Sequence, residues 1–262
     1  MQLKGKKVLI TGGSRGIGKC MITELVKHGV QDIAVIGRDK DSLKALREEF
    51  ESVNFLFVRG DVGDINALRE ISSKVEDEWG SLDVLINNAG VVSAGPLDEQ
   101  SDEDIYDQIA VNLTAVVVIT KYCIPILKRS DDAAILNVSS GLGLIGMPFY
   151  SVYASTKAAV RQFSDAIRRE LEPDHISVTC VYPAATDTDM MTTSKAQNMD
   201  TPEHVAEKSI DGLINKKLHV IFGGEERLQE SKLNFESPEK LDAKIAESYD
   251  ERREASLEHK SM

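Results

Sequence analysis

Tyr153 and Lys157 stand four residues apart in Tyr153-Ala154-Ser155-Thr156-Lys157, at the head of a stretch, 153–171, whose pattern predicts a long helix. That spacing puts both side chains on one helix face, one turn apart. An ammonium fixed beside a phenol favours the phenolate and lowers the tyrosine pKa toward the range that general acid/base chemistry needs. Alone, such a pair is most often solvated helix surface. Here it has company: Thr11-Gly12-Gly13-Ser14-Arg15-Gly16-Ile17-Gly18 near the N-terminus, Asn87-Asn88-Ala89-Gly90, and Asn137-Val138-Ser139-Ser140. The glycine-rich run follows an apolar strand pattern and opens a helix pattern at Ile17. Glycines there permit a tight turn and the close approach of a pyrophosphate to a helix N-terminus.

The elements that must position these residues alternate in type. Short runs rich in Val, Ile and Leu, at 7–10, 32–36, 55–58, 84–87, 133–138, 177–182 and 218–222, predict strands buried on both faces. Amphipathic stretches such as 17–28, 40–50 and 65–78 lie between them. Strand-helix alternation implies right-handed crossovers. The expected fold is therefore α/β, a Rossmann-like doubly wound parallel sheet of about seven strands flanked by helices. At 262 residues the chain suits one large catalytic domain, placed at 1–224.

Residues 225–262 differ in character, with 11 acidic and 7 basic side chains. They predict a charged helical extension. Ser237-Pro238-Glu239 has the form of a helix start, with an N-cap serine, proline at the first position and an acid against the dipole. Leu241, Ile245 and Tyr249 then form an apolar stripe, either packed on their own domain or docked on a second subunit. The final residues are expected to be disordered.

A net charge of −12 argues against nucleic acid as a partner. Cys20, Cys123 and Cys180 read as buried thiols in a reducing compartment, the cytoplasm. Only Val8-Leu9-Ile10 precedes Thr-Gly-Gly, too short for a signal core, and nothing approaches a membrane span; 115–119 is a brief apolar run inside a helix. His28, His175, His204, His219 and His259 show no ligand spacing, so no metal is expected.

The four elements, in this order, resemble the short-chain dehydrogenase/reductase family over about 4–224. The resemblance implies hydride transfer between a nicotinamide dinucleotide and a carbonyl or secondary alcohol. It assigns Tyr153 as general acid/base, Lys157 to tune it and hold the nicotinamide ribose, and a serine to hydrogen-bond the reacting oxygen. The family's thirteen-position separation from serine to tyrosine selects Ser140 over Ser139. Asn112 matches the helix asparagine of a proton relay; the alternative is an asparagine bonding its own backbone. Cofactor contacts are implied for Gly12, Ser14, Arg15, Gly16, Ile17, Gly18, Asn88, Ala89 and Gly90. They are implied also for Asp61 and Val62 at the adenine and for Pro183 and Thr188 at the nicotinamide end. Ala184 stands where the family has glycine, which puts the local loop in question if positive φ is needed there. Gly37 occupies the position of the acid that holds a ribose 2′-hydroxyl, and Arg38 follows it. Family members with a basic pair such as Arg15 and Arg38 favour NADP(H) over NAD(H); the alternative is that Arg38 only pairs with Asp39 or Asp41.

The substrate walls are expected at 91–97, 141–150 and 186–201, where Leu142, Leu144, Met147, Phe149, Met190, Met191 and Met199 are apolar and Lys195 is the only basic residue. A neutral small-molecule carbonyl or alcohol is the expected substrate. A homodimer or homotetramer is implied, paired through the Tyr153 helix and the long helix 102–129. Two other classes compete. An epimerase or dehydratase on the extended version of this fold would carry a larger C-terminal domain. A catalytically silent dinucleotide sensor or scaffold would dispense with Tyr153 or Lys157.

Overall fold

The computed structural model describes residues 1–194 and 198–262; Lys195 lies outside the described residues. In chain order the first half runs β1 (Lys7–Thr11), α1 (Gly16–Lys27), β2 (Asp32–Gly37), α2 (Lys40–Glu49), β3 (Asn54–Arg59), α3 (Ile65–Trp79), β4 (Val84–Asn87), β5 (Val92–Ser93) and α4 (Asp102–Ile109). A π turn, Ala110–Thr114, joins α4 to α5 (Ala115–Leu127). Then come β6 (Ala134–Val138), α6 (Ser151–Glu170), β7 (Ser177–Tyr182), α7 (Pro202–Ile214), β8 (His219–Ile221), α8 (Gly224–Glu236), α9 (Pro238–Ala246), α10 (Tyr249–Ser256) and β9 (Lys260–Ser261).

Seven strands form one parallel sheet in the order β3-β2-β1-β4-β6-β7-β8. The period-2 geometry of a strand sends successive side chains to opposite faces. Val8, Ile10, Ile33, Val35, Val84, Ile86 and Leu136 pack into the layer that holds α1 and α7. Leu9, Ala34, Ile36, Leu85 and Ile135 pack into the opposite layer, with α3 and α5. Both faces are dry, which is why these strands show apolar runs rather than alternation. Strand order reverses between β1 and β4, so a crevice opens at their C-terminal ends.

Local signals set the helix ends. Asp39 caps α2 by accepting from the amides of Asp41 and Ser42, and Thr201 caps α7 ahead of Pro202. Pro238 does start α9, but the Ser237 side chain makes no cap hydrogen bond. The expected single helix over 102–129 is interrupted by the π turn. By length and composition Asp102–Leu127 could cross a membrane, which the sequence pattern did not suggest. Its inner face, including Ala115, Ile119, Cys123 and Leu127, is buried against the sheet.

The extension folds back on its own domain. Leu241 is buried, and the Tyr249 ring lies 5.1 Å from that of Phe149. The last residues differ from the expected disorder. They form β9, antiparallel to β5, with Val92 opposite Ser261 and Ser93 opposite Lys260. Lys260 pairs with Asp104 at 2.7 Å, and the His259 carbonyl accepts from the Ala94 amide. Backbone pairing plus one buried ring, His259, supplies what a free tail would lack.

Candidate active site

A cavity of about 470 Å³ occupies the crevice at the strand ends. Gly12, Ser14, Arg15, Gly16, Ile17, Arg38, Asp61, Val62, Asn88, Ala89, Gly90, Ser140, Tyr153, Lys157, Pro183 and Thr188 all line it. Two expected residues do not: Gly18 and Asn112 sit behind the wall.

The glycine turn is built for close approach. Gly12 and Gly16 have φ of +66° and +52°, the left-handed region that glycine enters without strain. A Cβ on Gly18 would lie 2.2 Å from the Gly12 carbonyl oxygen. Arg15, extended, precedes α1 with no side-chain cap, so the first amides of the helix are available to an anion. Glycines without room for a Cβ, an uncapped helix start and two cavity arginines form a donor set that fits a dinucleotide phosphate chain.

At the outer end, Arg38 lies 3.5 Å from Asp61 and 3.5 Å from the Met262 carbonyl oxygen. It does not pair with Asp39 or Asp41. The Asp39 carboxyl is committed to the α2 cap, and hydrogen bonds from Ser42 hold it below the usual carboxylate range. Arg15 reaches Asp189 at 3.7 Å.

At the inner end, Tyr153 and Lys157 share one face of α6, with the ammonium 5.7 Å from the phenol ring centre. The Lys157 ammonium donates to the Val138 carbonyl at 3.1 Å. Burial dominates both groups. It pushes the Tyr153 phenol up to about 12, partly opposed by the neighbouring Ser140 hydroxyl, and it draws Lys157 down to about 8. The expected depression of the tyrosine pKa is therefore absent, because the lysine points at a carbonyl and the phenol sits among desolvating walls. Tyr153 is a protonated phenol at neutral pH. Ser139 is spent elsewhere: its hydroxyl donates to the Lys157 carbonyl at 2.7 Å.

Asn112 sits in the π turn. Its amide oxygen accepts from the Val91 N–H at 2.8 Å, and its amide nitrogen donates to the Val91 carbonyl at 2.9 Å and to Thr156 at 3.2 Å. It does not bond its own backbone. The side chain splints the segment after Gly90 to α6, and π turns of this kind are frequent at functional sites. Ala184 is not among the described residues with positive φ, so alanine there carries no backbone strain.

Several wall residues escape sequence reading. Arg227, Arg252, His259 and Ser261 come from the extension. His259 Nε2 donates to the Met190 carbonyl at 3.0 Å, which leaves Nδ1 to accept from the Tyr150 hydroxyl at 2.8 Å. Burial lowers the His259 pKa, in keeping with a neutral ring. No motif spacing marks these residues; only the fold-back brings them in. Of the expected apolar wall, Leu142, Met147, Met190 and Met191 line the cavity, whereas Leu144, Phe149 and Met199 do not.

A doubly wound sheet with a glycine turn at its switch point is the architecture of dinucleotide-dependent oxidoreductases. The chain belongs to the short chain dehydrogenase family, whose profile matches residues 6–199. It is 30% identical over 236 residues to an NADP-dependent 3-hydroxy acid dehydrogenase of Schizosaccharomyces pombe, covering 84% of this chain and 91% of that one. It is 32% identical over 187 residues to a 3-oxoacyl-[acyl-carrier-protein] reductase of Staphylococcus aureus, covering 71% and 76%. A short chain dehydrogenase from Burkholderia cenocepacia, solved in complex with NADP, superposes with a TM-score of 0.76 at 27% identity, over 86% of this chain and 98% of that one. The protein is accordingly an NAD(P)-dependent oxidoreductase acting on CH–OH or C=O groups.

Burial of Lys157 has a measurable consequence. In the unfolded chain lysine titrates near ~10.4, against about 8 in the fold. Between those values the unfolded chain holds more protons, so this group's contribution makes stability rise with pH across that window. Below pH 8 the cost of the buried ammonium is fully present. Lys157→Met should therefore melt above wild type at pH 7, and the gap should narrow by pH 9.5, by roughly 2–4 °C per kcal/mol relieved. A gap that is constant with pH in calorimetric melts would contradict the depressed pKa.

Proposed function

We propose that this protein is an NADPH-dependent carbonyl reductase, run in reverse as a secondary alcohol dehydrogenase, with Tyr153 as the proton donor. The observation that carries this reading is the protonated Tyr153 phenol beside Ser140 and Lys157, at the inner end of a cavity whose outer end carries Arg15 and Arg38. Bound NADPH supplies the hydride. As the carbonyl carbon accepts it, the C=O electron pair moves onto oxygen. The Ser140 hydroxyl donates a hydrogen bond to that oxygen, and Tyr153 gives it the phenolic proton. The Lys157 charge stabilises the phenolate left behind, which solvent then reprotonates. Asn112 acts as a positioning residue, since its amide is spent on Val91 and Thr156.

Preference for NADPH rests on three features. Gly37 offers no carboxylate to a ribose hydroxyl. Asp39 is committed to its helix cap. Arg15 and Arg38 hold long, half-exposed contacts to Asp189, to Asp61 and to the Met262 carbonyl, and surface contacts of this kind contribute little, so a 2′-phosphate can replace them. Exposed Tyr106, Ile109 and Val117 on the α4–α5 face fit pairing into a dimer or tetramer. The three free thiols fit the cytoplasm.

Titration of the wild type with each cofactor should favour NADPH by on the order of tenfold, the equivalent of one net charge-assisted bond. Gly37→Asp with Arg38→Ile should reverse that order. A Cβ on Gly37 meets only the Leu43 side-chain tip at 3.2 Å, which can shift. Equal affinities, or tighter NADH, would remove Arg38 from cofactor recognition.

Turnover of ketones and aldehydes with NADPH tests the reaction, and the serines test its geometry. Ser140→Ala should lower kcat on the order of a hundredfold, as for loss of one oxyanion donor. Ser139→Ala should cost much less, because its hydroxyl serves the Lys157 carbonyl. Equal losses, or a larger one at Ser139, would overturn the assignment.

A further inference from the structure

The inner end of the cavity carries more positive charge than the reaction requires. Arg227 from α8 and Arg252 from α10 both line it. Arg227 lies against the catalytic loop: its guanidinium carbon is 3.6 Å from where a Cβ on Gly141, the residue after Ser140, would stand. Its Nη1 is buried without a hydrogen-bond partner. The nearest carboxylate, Glu230, stands 3.7 Å away and gives its other oxygen to Lys244 at 2.9 Å. Arg252 donates through Nε to the Ser248 hydroxyl at 2.8 Å. Among the described residues it has no ion pair, and its charge acts on the Tyr150 phenol one turn before Tyr153.

Among the described residues Glu230 is the one carboxylate in ion-pair range of these two arginines, and it is shared with Lys244. The only carboxylates lining the cavity among the described residues are Asp61 and Asp189, and these sit with Arg38 and Arg15 at the cofactor-phosphate end. Lys157 adds a further positive charge, and His259 is neutral. A half-buried guanidinium with an unpaired N–H is costly unless an anion takes it. The planar fork of arginine matches carboxylate and phosphate oxygens. Arg227 borders Gly141 and Gly223, on the side of Ser140 and Pro183.

We propose that the substrate is an anionic carbonyl compound, or the corresponding hydroxy compound, whose carboxylate or phosphate is bound by Arg227 and Arg252 while its carbonyl faces Tyr153 and Ser140. This rests on the reductase reading above. It reverses the expectation of a neutral substrate, which considered only the three loop segments and not side chains arriving from the extension. The reacting oxygen and the anion then occupy separate donors. The arginine pair fixes which end of the substrate meets the nicotinamide, and neutral analogues lose that orientation.

Two matched series test the proposal: oxo acids of increasing chain length against their methyl esters, and ketose phosphates against the free ketoses. Each is assayed with NADPH, and the hydroxy forms are titrated calorimetrically into the NADP⁺ complex. The charged member of one series should be preferred on the order of tenfold in kcat/KM, mainly through KM; which series shows it distinguishes carboxylate from phosphate. In Arg227→Gln and in Arg252→Gln the charged-to-neutral ratio should fall toward one, and Arg227→Lys should keep part of it. Esters and free ketoses used as well as their charged partners would overturn the anion site and leave the reductase reading standing. Selective calorimetric binding of the charged member without turnover would leave the anion site and overturn the reductase. No binding of any member to the NADP⁺ complex, or ratios that survive both glutamine substitutions, would also overturn the site.

Discussion

The cleft depends on a polar clamp across the point where the strand order reverses. The Asn88 side chain donates to the carbonyls of Thr11 and Gly12, and the Thr11 hydroxyl accepts from the amides of both Asn88 and Ala89. These bonds tie the end of β1 to the end of β4, the two strands from which the chain winds outward in opposite directions. Gly18 packs into the same joint with no room for a side chain. With the joint closed, the glycine turn and Asn88-Ala89-Gly90 lie side by side along one wall, next to the uncapped start of α1. A parallel sheet opens a crevice at its switch point in any case; the clamp sets its width.

The catalytic side of the crevice is held by a second buried polar set. The Asn87 amide donates to Asn137 and Thr120, and the Asn137 amide donates to Ser164. Ser139 bonds the Lys157 carbonyl from the end of β6. Together they fasten α6 to β4 and β6, so Tyr153 and Lys157 stand on a rigid support. Rigidity here works against charge. The same burial that orients Lys157 penalises its ammonium, and the same walls keep the Tyr153 phenol protonated. A protonated phenol is what carbonyl reduction needs of its acid, so the desolvation that looks adverse for an active base is favourable for proton donation. In the proposed reduction the positive charge matters after the proton has left, when a phenolate must be tolerated beside it.

Much of this was legible in the chain. Strands buried on both faces are apolar wherever no buried partner satisfies a polar side chain, and Val8-Leu9-Ile10 and Ala134-Ile135-Leu136 show it directly. The chemistry-bearing residues lie at strand ends and on the first turn of α6, where local pattern and topology agree, and sixteen of the eighteen expected site residues line one cavity. What escaped was set by long-range contact. The π turn at Asn112 widens a helix by one residue and leaves its amphipathic pattern almost unchanged. Strands β5 and β9 are two residues each, too short for any period to register, and their pairing joins segments far apart in the chain. Arg227, Arg252 and His259 sit on an extension whose charge looks like solvated surface until it folds back. The Lys157 and Tyr153 pKa values escaped for a related reason: spacing on a helix reports proximity, whereas the shifts follow from desolvation by strands and loops elsewhere.

The central claim is that Tyr153 supplies the proton in an NADPH-linked carbonyl reduction. A single-turnover experiment tests it most directly, with NADPH bound in advance to wild type and to Tyr153→Phe and its oxidation followed after mixing with a carbonyl substrate. The variant lacks one hydroxyl and little of the cofactor contact surface. Its affinity for NADPH should stay close to that of the wild type, while hydride transfer falls by at least the ~10²–10⁴-fold typical of a lost general acid. Transfer by Tyr153→Phe within a few fold of wild type, at equal NADPH occupancy, would contradict the account.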